Sequence, residues 1–153
     1  MLELIVTVLI TVSSALLFGY WFRYTCLLIL SARTTRDYAA EIAQMNQLSF
    51  LQVQAELRSQ PVELDRLQAA LDRDYATINN LIQSSSGDWG MEDRMLQLNY
   101  RLMGAWCAVS RRFSAEMGRQ ALDEMSTIIA HFANGLGERA TVGAAAFTRA
   151  GAG

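Results

Sequence analysis

The sequence predicts an all-α protein: a single N-terminal transmembrane helix continuing into a small antiparallel helical bundle, coiled-coil-like in its hairpin, with one long C-terminal helix. Three observations carry this expectation. Leu4–Phe22 is an apolar stretch of 19 residues without a charge. Two later segments repeat apolar residues at intervals of three and four, the helical period. Breakers are sparse, and neither glycine nor proline separates Gly19 from Pro61.

Residues 1–32 read as the anchor. About 20 apolar residues at 1.5 Å rise cross the roughly 30 Å hydrocarbon core of a bilayer. A second apolar run, Tyr24–Ala32, follows Arg23 and is more than one span needs; tilt, a position in the interface or packing against a neighbour would absorb it. A cleaved signal peptide is not expected. The n-region Met-Leu-Glu has no basic residue, and the candidate cleavage site after Ala32 has the large Leu30 at its −3 position. Tyr20, Trp21 and Tyr24 suit a membrane–water interface, where Arg23 can snorkel to the headgroups. Arg33 and Arg36 join Arg23 on the C-terminal side of the span. Basic residues stay cytoplasmic, so the expected topology is single-pass, N-terminus outside and body inside, as in a bacterial inner membrane. Cys26 and Cys107 are too isolated for a disulfide framework and suit a reducing compartment.

The body, residues 33–140, is expected to hold three helices. The first, about 35–58, has Tyr38, Ile42, Met45, Val53 and Leu57 on one side, with Ser49 weakening the stripe. Pro61 suits the first position of the second helix, about 62–83, with Glu63 favouring its N-terminal dipole. Leu64, Leu67, Leu71, Tyr75, Ile78 and Ile82 then form a heptad-like seam. Ser84–Asp88 is a loop. The third helix, about 91–134, opens with Glu92 and Asp93. Its stripe runs Met91, Met95, Leu98, Leu102, Trp106, Val109, Phe113, Met117, Ala121, Met125, Ile128 and Phe132. Gly135 and Gly137 are expected to stop it. Residues 141–153 form an Ala/Gly tail expected to be disordered.

Those lengths leave an overhang. The second helix covers the third only to about Arg112, and Phe113, Met117, Met125, Ile128 and Phe132 continue the apolar stripe. Either the third helix breaks near Gly118 and folds back as a fourth, or the stripe meets another protein or a second copy of this chain.

Composition narrows the function classes. Residues 37–140 carry 14 acids against nine arginines, which argues against a nucleic-acid partner. All 13 basic residues are arginine, so neither a P-loop lysine nor a Schiff base is possible. His131 is the only histidine, and no haem or metal motif accompanies it. The expectation is a non-enzymatic, membrane-anchored helical interaction protein: a scaffold, tether or assembly factor with no cofactor and no small-molecule substrate. The alternative is an accessory subunit of a larger integral-membrane complex.

Overall fold

The computed structural model describes residues 1–32, 37–59, 63–85 and 90–150, with side chains to residue 144. All regular structure among the described residues is helical. The chain divides into two compact units, Met1–Arg33 and Thr34–Gly153.

The first unit is one helix, α1, Leu2–Ser31, of 30 residues. At 1.5 Å per residue it is about 45 Å long. It is long and apolar enough to cross a membrane. Its threonines bond back along the helix rather than outward. Thr7 Oγ1 donates to the Glu3 carbonyl at 2.8 Å, Thr11 to Thr7 at 2.8 Å and Thr25 to Trp21 at 2.9 Å. Such bonds satisfy hydroxyls where no water is available. α1 does not run on into the body as its lack of breakers suggested. Ala32 turns extended at ψ 110°, and Asp37 and Tyr38 are not helical. Asp37 Oδ1 accepts the Ala39 N–H at 3.0 Å, a local bond that competes with helix continuation.

The second unit holds α2 (Ala39–Met45), α3 (Phe50–Leu57), α4 (Leu64–Ser84), α5 (Met91–Ser110) and α6 (Ala115–Ala150). The expected first helix is thus two. α2 ends in a Schellman turn: the Leu48 N–H reaches the Ala43 carbonyl at 2.9 Å, and the Gln47 N–H reaches Gln44 at 3.5 Å. Gln47 takes the left-handed φ of 52° that this turn requires. Leu48, the next residue, is buried.

α3 is capped from outside at both ends. Buried Asp74 on α4 accepts the Ser49 N–H at 2.7 Å, placing a carboxylate at the positive end. Arg119 on α6 donates to the carbonyls of Leu57 and Ser59 at the negative end.

α4 matches the expected second helix to within about two residues, the ordinary uncertainty of a helix end. Pro61 and the core of the Ser84–Asp88 loop lie outside the described residues. Leu67, Leu71, Ile78 and Ile82 are buried as the seam implies. Their main backbone neighbours are α6 and α3 rather than α5.

The expected long third helix breaks at Arg111–Ser114, ahead of Gly118. The Ser110 carbonyl accepts from both Phe113 (2.9 Å) and Ser114 (2.8 Å). Ser114, a residue type favoured at N-caps, precedes α6. α6 folds back along α5 and also packs on α4, α2 and α3, so it is the central helix. Cross-helix bonds fix its direction. Cys107 meets Gly118 (3.6 Å), Asn99 meets Glu124 (2.7 Å) and Asp93 meets Arg139 (3.3 Å), an antiparallel order. Among the described residues the overhang therefore does not exist.

α6 passes through Gly135 and Gly137 and reaches Ala150, so the segment expected as a disordered tail is helical to that point. Alanine is the best helix former, and residues 144–146 are all alanine. Gly137 is a packing glycine: a Cβ there would lie 2.3 Å from the Tyr38 Cβ. That approach lets the Tyr38 N–H bond Asn134 Oδ1 at 2.7 Å and docks the start of α2. A Cβ at Gly135 meets nothing within 4 Å. Gly135→Ala should therefore stabilise the protein by about 1 kcal/mol through helix propensity. Gly137→Ala should lower stability, because overpacking costs about 1–3 kcal/mol and outweighs the same gain. Thermal melts of the two variants should move in opposite directions.

Candidate functional site

α5 is amphipathic in an unusual sense. Its inner face buries Leu96, Asn99, Tyr100, Cys107 and Ser110. That face is partly polar and is held by specific bonds. Asn99 Nδ2 donates to Glu124 Oε1 at 2.7 Å. The Tyr100 hydroxyl donates to Asp72 Oδ1 at 3.0 Å, and its ring stacks on Tyr75 with centroids 4.0 Å apart. Gln68 Nε2 reaches the Gly104 carbonyl at 3.5 Å. These contacts tie the polar part of that face to α4 and α6, while Asn99 Oδ1 and Ser110 Oγ are buried on it without a hydrogen bond among the described residues.

The consequence appears on the opposite face. Leu98 (51%), Leu102 (46%), Trp106 (47%), Val109 (52%) and Phe113 (83%) are all substantially exposed. Leu98, Leu102, Trp106 and Val109 recur at intervals of four, four and three, a stripe about 17 Å long on α5 at 1.5 Å per residue, and Phe113 follows in the turn between α5 and α6. Met91 at the start of α5 and Met117 on the antiparallel α6 are also exposed, at 81% and 41%. The sequence identified this stripe but assigned it to the core. Periodicity marks an apolar face and does not say which face the neighbours cover.

The five residues expected to form a partner surface separate into two groups. Phe113 and Met117 are exposed. Met125, Ile128 and Phe132 are at 0%, 0% and 3% exposure, because the fold-back of α6 turns them into the unit's own core. On α1, Tyr20, Trp21 and Tyr24 are exposed, and the Tyr20 and Tyr24 rings stack at 6.5 Å. Arg23 is half-buried on the same helix. Arg33 and Arg36 lie outside the described residues.

No three of His, Cys, Asp and Glu lie together as a metal set among the described residues. Burial pushes the Cys107 thiol up, with Asp72 adding to it, and Cys107 remains a free thiol. Burial and the neighbouring Asp72 carboxylate push the Tyr100 phenol far above its ordinary range, which keeps it a neutral donor. Burial pushes His131 down, against the opposing fields of Asp93, Glu92 and Glu138. An apolar groove of about 880 Å³ lies between α2, α4 and the later part of α6, lined in part by Ile42, Leu81, Leu136 and Val142.

No protein-family model matches the chain, and no curated protein or solved structure is significantly similar to it.

Proposed function

We propose that this chain is a membrane-anchored helical interaction protein, a scaffold, tether or assembly factor that acts by association and has no catalytic activity of its own. The observation that carries the reading is α5, which buries a polar face and turns an apolar one to water. Exposed apolar stripes of this length are rare in monomeric proteins unless something covers them. The contact face is the outer side of α5 with Phe113 and Met117, which replaces the wider C-terminal stripe expected from sequence.

Leu102→Glu with Trp106→Glu tests this face. Both side chains are about half exposed, so each substitution gives up the buried half of its apolar contact, about 1–2 kcal/mol, and circular dichroism should show the double variant still folded. Cross-linking in native membranes from a photoreactive residue at Val109 should lose its products in the double variant. Unchanged products would remove α5 from the association.

The anchor reading rests on α1, with Arg23, Arg33 and Arg36 giving N-terminus outside and body inside. A reporter active only outside the cytoplasm, fused after Ala140, should be silent. Activity there would reverse the topology, and loss of α1 from the mature protein would replace the anchor with a signal sequence. A second reading is an accessory subunit of a larger integral-membrane complex, supported by the apolar run Tyr24–Ala32, which exceeds what one span needs and would pack against neighbouring spans.

A further inference from the structure

The break between α5 and α6 is small. Helical hydrogen bonding runs on past Ser110. The Arg111 N–H donates to the Cys107 carbonyl at 3.1 Å and the Ser114 N–H to the Ser110 carbonyl at 2.8 Å, each the four-residue bond of an α-helix. Arg111 keeps right-handed helical dihedrals, φ −60° and ψ −21°. The pattern resumes with the Gly118 N–H on the Ser114 carbonyl at 3.3 Å. Arg111–Ser114 contains neither glycine nor proline, so nothing in it forbids a straight helix. The buried faces on the two sides of the turn are also in phase. Cys107, Ser110, Ser114, Gly118, Ala121 and Met125 follow at intervals of three, four, four, three and four, and all but the half-buried Ser114 are buried. A turn that merely reverses the chain need not keep that phase. Straightened, α5 and α6 would carry one buried face along a single helix.

The contacts between α5 and α6 can then form between two copies. Within one chain they run antiparallel, Cys107 to Gly118, Asn99 to Glu124 and Asp93 to Arg139. Two straight helices lying antiparallel about a two-fold axis near the turn repeat the same pairs from chain to chain. Small Ser110, Ser114 and Gly118 fall near the crossing and permit close approach there. α6 finds on the second copy the same α2, α3 and α4 surfaces that it leaves on its own, so the exchange changes little beyond the turn. What holds the turn shut is modest. Arg111 pairs with Asp65, whose side chain is 84% exposed, and exposed ion pairs contribute little. Ser110 Oγ, at the start of the turn, is buried without a hydrogen bond among the described residues, which is a cost of the closed form. We propose that the α5–α6 turn is a hinge and that two copies of this chain exchange α6 to form a dimer. The inference does not depend on what covers the outer face of α5.

The test uses two differently tagged full-length chains, each with Cys26→Ala and Cys107→Ala, made together in one cell. One carries Asp93→Cys and the other Arg139→Cys. In the exchanged dimer these positions face each other across chains, and a short bis-maleimide should join the two tags. Ala115→Pro should abolish that product. Position 115 is the first of α6, where proline is well suited, but inside a straight helix proline removes a hydrogen bond and clashes with the preceding turn. A chain with both cysteines and Ala115→Pro should still cross-link within itself, as the folded-back form requires. Phe113→Gly, at a side chain 83% exposed, should by itself lower the inter-chain product severalfold, because glycine disfavours the straight helix. The proposal is overturned if the unaltered turn gives no product between chains while a chain holding both cysteines cross-links within itself. Inter-chain product that survives both Ala115→Pro and Phe113→Gly overturns it too, since the copies would then associate without opening the turn.

Discussion

Leu71→Ala is expected to lower the stability of the helical body by about 2–5 kcal/mol, the range for removing three carbons from a packed leucine site. Leu71 is fully buried on α4. It shares the inner face of that helix with Leu67 and Ile78, and α4 packs on both α6 and α3. The void left by the substitution therefore touches several elements at once, and no one helix can move to close it. Denaturant titration of the full chain in detergent should show a lower midpoint with an unchanged slope. Near-ultraviolet circular dichroism is a suitable signal, because the Tyr75–Tyr100 stack belongs to the same body. A loss below about 0.5 kcal/mol, the size of an ordinary surface substitution, would mean that the seam of α4 faces outward.

Asp74→Ala is expected to cost about 1–3 kcal/mol, because it leaves the Ser49 N–H without its acceptor. Asp74→Asn should behave differently. The amide oxygen can still accept that N–H, and the substitution removes a charge from a buried site. Burial raises the Asp74 pKa, and the Ser49 and Phe50 N–H groups and Arg73 only partly oppose it. A raised folded-state pKa means that the native state binds the proton more tightly than the unfolded chain. Its stabilising contribution is complete below the unfolded value and is lost as pH rises through the folded value. The wild type should therefore gain stability relative to Asp74→Asn as pH falls from neutral toward about 4, near the unfolded carboxyl pKa. Stability curves of the two proteins against pH check the sign. A wild type that instead loses ground to Asp74→Asn on acidification would mean that the capping bonds outweigh burial.

The parts of the fold that were legible in the sequence share a cause. α4 could be bounded because Pro61 and the serine-rich loop flank a regular heptad seam, and α1 because length and apolarity leave few alternatives. The misjudged parts are those where one sequence signal has two physical outcomes. Gly135 and Gly137 both looked like helix stops, yet α6 runs through them, and only contact with Tyr38 distinguishes the second. The end of α5 had a signal in Ser114, but an unbroken apolar period across it outweighed that in the reading. Gln47 carried no warning of its left-handed turn, since glutamine is not a residue that usually adopts one. Most consequential was α5 itself. Its stripe was plain, but the face that turns inward carries Asn99 and Tyr100, whose partners Glu124 and Asp72 are 25 and 28 residues away.

α3 has a consequence for the order in which the molecule assembles. It is eight residues long, too short to persist alone in water. Its two external caps come from α4 and α6, so neither exists until those helices have docked. α3 is therefore conditional on a framework built from later parts of the chain, although it is made earlier on the ribosome. The N-terminal segment of the body must wait as unstructured chain until residues as far along as Arg119 have emerged. Once folded, α3 can open locally when either charged cap lets go, which gives the body a mode of unfolding below its global one.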